Sequence, residues 1–328
     1  VGQMILTIAQ NRKKAPIKNV LSLFDGISCT QIALNRLGIP YEKYYASEIE
    51  EASIKVTQDN YPNTIQLGDV TKVVGADLPQ IDLLVAGSPC QGFSMSGRRL
   101  NFEDDRSKLF FEFLRLLEET NPKYFLLENV RMEKWMQNVI SYLLKTEPVL
   151  INSSVVSAQS RPRLYWTNLP IKEITPKEIW VKDILEPNVD MSNLYEDTTL
   201  EYIPIENPTM TKGNMLFLGG FKTRNGTLWQ DPVEGESLSL KHFRQGYRVY
   251  SIEGKGTALT AYGGGVGGKT SLYLTSDKTI RKLTRVESER MQTVPDNYTK
   301  VVSIGAAQKA LGNGFTVDVI CEILSYLK

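Results

Sequence analysis

Four apolar runs of β character, each followed by a small or polar residue and a stretch of different periodicity, constrain the first half of this 328-residue chain more than any other feature. They are Val20-Leu21-Ser22-Leu23-Phe24, Tyr44-Tyr45-Ala46-Ser47, Ile81-Asp82-Leu83-Leu84-Val85-Ala86 and Tyr124-Phe125-Leu126-Leu127. Between them lie Thr30 to Leu37 with helical spacing closed by Gly38, a helical stretch from Glu51 to about Tyr61, and the strongly helical Leu109 to Leu117. Strands this apolar, separated by helices, are buried on both faces, so the pattern predicts an α/β fold with a mostly parallel sheet covered on each side. Ligands of such sheets bind beyond the carboxyl ends of the strands.

The pattern changes after about Pro170. Residues 173 to 280 carry short β-type runs and many Gly, Asn and Thr residues, which predicts a smaller, irregular β-containing domain. Helical periodicity returns in Thr284 to Met291, Ser303 to Leu311 and Thr316 to Leu327. The expected division is therefore residues 1–172 with 281–328 as one domain and 173–280 as the other, in line with roughly 150 residues per domain. Net charge is only +1, yet residues 241 to 300 carry 11 Lys and Arg against 5 Asp and Glu, leaving −5 for the rest of the chain. A solvated basic face and a nucleic-acid surface both explain that contrast.

One histidine, His242, and three cysteines, Cys29, Cys90 and Cys321, exclude a His-rich zinc site, a four-cysteine metal cluster and a disulfide framework, so no metal is expected. The cysteine spacing fits a reducing compartment. No apolar run approaches the roughly 18 residues of a membrane span, and the cluster Asn11-Arg12-Lys13-Lys14 follows the first apolar stretch, the wrong order for a secretory signal. The expectation is a cytoplasmic protein that makes no membrane contact.

Chemistry-bearing residues gather after the strands. Phe24-Asp25-Gly26-Ile27-Ser28 forms a strand-to-helix turn, and Glu48 ends the next strand. This is how a Rossmann-like unit takes a nucleoside: backbone approaches the ligand at the turn, and an acid about 20 residues on accepts from ribose hydroxyls. The Gly-x-Gly-x-x-Gly fingerprint is absent from this turn, which disfavours a pyrophosphate-bearing cofactor and a nicotinamide dehydrogenase. Asp69, after the third strand, stands where an adenine amino group would lie, although each acid taken singly is more often a loop residue or helix cap. Cys90 sits in the loop Gly87-Ser88-Pro89-Cys90-Gln91-Gly92-Phe93-Ser94, where a nucleophile would be exposed; a buried thiol is the bland alternative. Glu128-Asn129-Val130 and Gln159-Ser160-Arg161-Pro162-Arg163 bring an acid and two arginines to the same edge, as either an ion-pair group or a reaction site.

In their order these pieces resemble the cytosine-5 DNA methyltransferases that depend on S-adenosyl-L-methionine. The match continues through Arg281-Lys282-Leu283-Thr284, Glu287 and Arg290 to Gly312-Asn313, spanning 19 to 328. Phe110-Phe111-Glu112-Phe113 and Arg163-Leu164-Tyr165-Trp166-Thr167-Asn168-Leu169-Pro170 resemble the catalytic half of the animal de novo enzymes. Gln245-Gly246-Tyr247-Arg248-Val249-Tyr250 and Leu259 to Gly265 resemble the target-recognition domain of bacterial restriction-modification enzymes, which argues for a prokaryotic or phage type. Two places depart: Ser28-Cys29 stands where many members have Gly-Gly, and Gly312-Asn313-Gly314-Phe315 where Gly-Asn-Ser-Val is usual.

The resemblance implies a Rossmann-like, doubly wound class I methyltransferase domain and a target-recognition domain at 173–280. It places the cofactor on Phe24, Asp25, Gly26, Glu48, Ile49, Asp69, Val70, Pro89 and Asn313. Catalysis falls to Cys90 as nucleophile at cytosine C6, Glu128 at N3 and the exocyclic amine, Arg163 at O2, and Arg161 orienting the site. Gln91, Ser94, Gln245, Arg248, Tyr262 and Gly265 would contact duplex DNA, with residues 91 to 106 closing over a flipped base, Gln245 filling the gap and Arg248 in the major groove. A cognate restriction endonuclease is the further partner the resemblance brings in. The alternatives are a transfer-RNA cytosine-5 methyltransferase on the same fold, whose Cys-Phe-Thr signature is missing, and a silent DNA-binding homologue, against which the intact Cys90 and Glu128 speak.

Overall fold

A computed structural model describes residues 16–87, 105–189, 200–223, 225–261 and 270–328. Strand β1 (Asn19–Leu23) leads to helix α1 (Cys29–Leu37), β2 (Lys43–Ser47) to α2 (Glu51–Asn60), and the two-residue β3 (Ile65–Gln66) follows. Then come β4 (Leu83–Gly87), α3 (Asp105–Thr120), β5 (Tyr124–Val130), α4 (Lys134–Leu144), β6 (Val149–Asn152), β7 (Gln159–Ser160) and β8 (Pro162–Thr167). Seven strands form one sheet in the order β3-β2-β1-β4-β5-β8-β6. Strands β3, β2, β1, β4 and β5 run parallel, and β8 is antiparallel to both its neighbours.

Alternation along the strands feeds two cores. Val20, Leu83, Val85 and Leu126 pack with Ile32, Ala33 and Leu34 of α1 on one face. Leu21, Leu23, Leu84, Ala86 and Leu127 pack with Phe110, Phe113 and Leu116 of α3 and Met136 and Ile140 of α4 on the other. Burial on both sides is what made these strands read as continuous apolar runs. Helix α1 ends where Gly38 turns left-handed at φ 68°, its N–H capping the carbonyls of Asn35 and Leu34.

The rest of the chain contributes α5 (Val181–Ile184), β9 (Tyr202–Met210), β10 (Leu216–Phe221), β11 (Arg248–Ser251), β12 (Gly256–Thr257), β13 (Leu272–Leu274) and β14 (Ile280–Arg281). Five of these strands form a second sheet, β14-β13-β11-β10-β9, while β12 pairs with β7. The irregularity expected of this region is visible as a register shift between Phe217 and Gly219. Strand β14 lies across residue 281, and Arg281 forms a buried double ion-paired hydrogen bond with Glu287 at 2.7 Å per contact. Phe217, Phe243, Tyr250 and Tyr273 belong to the same core cluster as α1, so the two sheets share packing.

Helices α6 (Arg285–Met291), α7 (Ile304–Asn313) and α8 (Val317–Leu324) return to the first sheet. Thr284 and Glu287 close a capping box at the start of α6. The stretch Ile304–Leu327 is long and apolar enough to cross a membrane by length and composition alone. It is broken at Gly314 into α7 and α8, and it is mostly buried against the protein.

Candidate active site

The order β3-β2-β1-β4-β5 reverses direction between β1 and β4, and the carboxyl ends of these strands open into a cavity of about 520 Å³. The turn after β1 forms its floor. Phe24, Gly26 and Ser28 all sit in the left-handed region, at φ 55°, 59° and 57°. Only one is a glycine, so the conformation must be held by partners. Ser28 donates its hydroxyl to the Asp25 carboxylate, and Tyr44 donates to the other oxygen of that carboxylate at 2.7 Å. Burial pushes the Asp25 carboxyl up to about 6. Although Asp25 lies on the cavity wall, its carboxylate is thus engaged by its own fold.

Glu48 ties β2 to this turn. One of its oxygens accepts from the Gly26 N–H at 2.8 Å, the other from Ile49 and Glu50 at 2.7 and 2.9 Å. Asp69 accepts from the backbone and hydroxyl of Thr71 at 3.0 and 2.8 Å, which holds its carboxyl below the usual range. Both acids are therefore local caps, as one reading of the sequence has it, and both also line the cavity together with Ile49, Val70 and Asn313.

At the far side of the cavity β5 and β8 present an acid and a base on diagonal positions of an antiparallel pair, with Glu128 opposite Tyr165 and Arg163 opposite Val130. Arg163 Nε lies 3.0 Å from Glu128 Oε1. Burial pushes the Glu128 carboxyl up, against the opposing pull of Arg163 and Arg161. Arg161 is buried and its guanidinium is committed elsewhere: it donates to the carbonyls of Leu259, Gly312 and Gly314 at 2.8, 3.0 and 3.2 Å. Burial, with the charge of Arg163 beside it, lowers its pKa to about 10. It is a positioning residue that fastens the end of α7 and the segment after β12 to β8.

Phe24, Asp25, Gly26, Glu48, Asp69 and Asn313 are thus brought around one cavity with Glu128, Arg161 and Arg163. Gln245 and Arg248 are not among its lining residues; Gln245 is exposed, and half-buried Arg248 donates from Nε to the Phe243 carbonyl at 3.0 Å. Pro89, Cys90, Gln91, Ser94, Tyr262 and Gly265 lie outside the described residues. Two features escaped the sequence reading. Lys309 of α7 forms an ion pair with Glu50 at 2.6 Å beside the cavity, and Phe315 lines it directly. The changed motif Gly314-Phe315 was the one available signal for the second.

A doubly wound sheet with an antiparallel strand beyond β5, nucleoside-type acids after β2 and β3, and an acid in the last part of β5 paired with an arginine at the start of β8 define a class of nucleoside-cofactor-dependent transferase. The fold is similar to that of the Entamoeba histolytica methyltransferase EhMeth, with a TM-score of 0.72, 17% identity and coverage of 95% of this chain and 98% of that one. The profile of the C-5 cytosine-specific DNA methylases matches residues 18–328, and the chain belongs to that family. It is 33% identical over 79% of its length to the orphan methyltransferase M.Rho11sI of Bacillus phage rho11s, of which it spans 60%. It is 30% identical over 92% of its length to the type II methyltransferase M.HhaI of Haemophilus parahaemolyticus, of which it spans 91%.

The family implies S-adenosylmethionine, and the residues present fit it. Two acids after adjacent strands suit ribose hydroxyls and an adenine amine, the tight turn brings backbone to the cavity floor, and that turn, Phe24-Asp25-Gly26-Ile27-Ser28, carries no pyrophosphate fingerprint.

Proposed function

We propose that this chain methylates carbon 5 of a cytosine flipped out of duplex DNA at a short specific sequence. The observation that carries the reading is one cavity running from Glu48 and Asp69 to the Glu128–Arg163 pair, with β4, which Cys90 follows by three residues in the sequence, between them in the sheet order. Residues 1–172 with 281–328 are the catalytic domain and 173–280 the target-recognition domain. A cognate restriction endonuclease is the partner to seek, in the cytoplasm of a prokaryotic or phage-infected cell.

Cytosine C5 is a poor nucleophile, and the chemistry asked of the protein is to make it a better one. Bound S-adenosylmethionine supplies an electrophilic methyl group. The Cys90 thiolate adds to C6, and the displaced electron pair makes C5 enamine-like. Glu128, its carboxyl already shifted toward the protonated form by burial, gives or shares a proton at N3 as electron density moves onto the ring. Arg163 holds Glu128 from one side and offers its remaining donors to the O2 oxygen. C5 takes the methyl group, its proton leaves to a base or water, and the electrons of that C–H bond expel the Cys90 sulfur from C6.

A duplex carrying 5-fluorocytosine at the target position tests this directly, because fluorine cannot leave as the proton does. The expected result is a stable adduct with the protein, mapped by mass spectrometry to Cys90. An adduct on another residue, or full turnover with no adduct, would overturn the mechanism.

A further inference from the structure

The sheet order fixes where along the cavity each part of the reaction must sit. The nucleoside acids follow β2 and β3, and the acid–arginine pair joins the C-terminal part of β5 to the start of β8, so the middle of the cavity lies at the ends of β1 and β4. A methyl group in transit between a bound cofactor and the base would pass through that middle, and S-adenosylmethionine would bring its positive sulfonium toward it. The side chain that fills this place is Phe315. A methyl group built on Gly87, the last residue of β4, would come 2.8 Å from Phe315 Cε1, 3.0 Å from Cζ and 3.8 Å from Glu128 Oε2. The ring therefore seats on the bare backbone of β4 beside the catalytic acid, and it lines the cavity.

The other departures from the family pattern lie beside this one. A methyl group on Gly314 would lie 3.3 Å from Cys29 Sγ, so the thiol in the first loop occupies the space that a larger residue at 314 would need. Arg161 holds the Gly312 and Gly314 carbonyls on either side of the turn into Phe315. The changes at 29, 314 and 315 are in one another's contact range, and together they set an aromatic ring where the usual motif carries valine.

We infer that Phe315 is a positioning residue that favours the cationic sulfonium of S-adenosylmethionine over the neutral thioether left after transfer, so that the chain discriminates substrate from product at this ring. An aromatic ring attracts a cation through its quadrupole and gains nothing comparable from a neutral sulfur of the same shape. The inference rests on the proposed cofactor and goes beyond it by assigning the selectivity to one side chain.

The test is calorimetric titration of the intact protein, without DNA, with S-adenosylmethionine and with S-adenosylhomocysteine. Phe315→Leu, which keeps apolar bulk, and Phe315→Val, which restores the usual residue, are compared with wild type after thermal unfolding confirms that each variant is folded. The expected result is a Kd for S-adenosylmethionine about 3- to 10-fold higher in both variants, with the Kd for S-adenosylhomocysteine within about 2-fold of wild type. Equal weakening of both ligands would show that Phe315 only packs, and no change in either would remove it from the site. Wild-type protein that binds neither ligand would instead sink the proposed cofactor, and this inference with it.

Discussion

Asp25 offers a quantitative check on the turn that forms the cavity floor. Its carboxyl is buried, accepts from Ser28 and Tyr44, and is pushed from 3.8 to about 6. A carboxyl whose pKa rises on folding stabilises the protein fully below its unfolded value, and that contribution is lost as pH climbs through the folded one. The 2.2-unit difference between those two values corresponds to about 3 kcal/mol over the whole range. Between pH 5 and pH 8 the part lost is about 1 kcal/mol, because the folded group is still mostly protonated at pH 5 while the unfolded one is mostly ionised. Asp25→Asn keeps an acceptor for Tyr44 and a donor toward Ser28 but cannot titrate. Urea unfolding of both proteins at pH 5 and pH 8 cancels the titration of every other acid. The stability of the variant relative to wild type should move by about 1 kcal/mol in favour of the variant on going to pH 8. Parallel profiles, with a difference that does not change with pH, would refute the assignment of a raised pKa to this carboxyl.

Three further outcomes follow from the geometry. Arg161→Met would leave the carbonyls of Leu259, Gly312 and Gly314 without their donor, and urea unfolding should show a loss of about 2–5 kcal/mol; a loss under about 0.5 kcal/mol would contradict its role as a brace. Glu128→Gln removes the acid that faces Arg163, so methyl transfer should fall by about 100-fold or more while calorimetry finds S-adenosylmethionine binding within about 2-fold; unchanged transfer would remove Glu128 from the chemistry. Gly312→Ala would place a methyl group 2.2 Å from the Thr260 carbonyl carbon, a backbone clash expected to cost about 1–3 kcal/mol or more in thermal unfolding; a wild-type midpoint would show that α7 is free to shift.

The parallel half of the fold could be read from the sequence because each of its strands is buried on both faces, and a doubly buried strand leaves an apolar run with a polar stop. The same rule put Glu48, Asp69 and Glu128 at one edge, since residues that follow parallel strands share one end of the sheet. Strands β6 and β8 were not read as such: they pair antiparallel at the edge, and Val149 and Leu150 are exposed. What Asp25 and Arg161 do with their side chains was hidden for another reason. The partners of Asp25 include Tyr44, and those of Arg161 lie as far along as Gly314. No local pattern reports such pairings. Phe315 was visible only as a departure from a motif, and its meaning came from Gly87 on a different strand. The break that turns 304–327 into two helices follows Asn313, at Gly314, whose carbonyl accepts from Arg161 and which packs close to Cys29 Sγ.

The central claim is transfer of a methyl group to cytosine C5 in DNA with Cys90 as nucleophile. Bisulfite sequencing of unmethylated plasmid DNA, after incubation with the protein and S-adenosylmethionine, reads it most directly, with Cys90→Ala in parallel. The account predicts protected cytosines at one short repeated context with wild type and none with the variant. Complete conversion at every cytosine with wild type, or the same protected sites with Cys90→Ala, would contradict it.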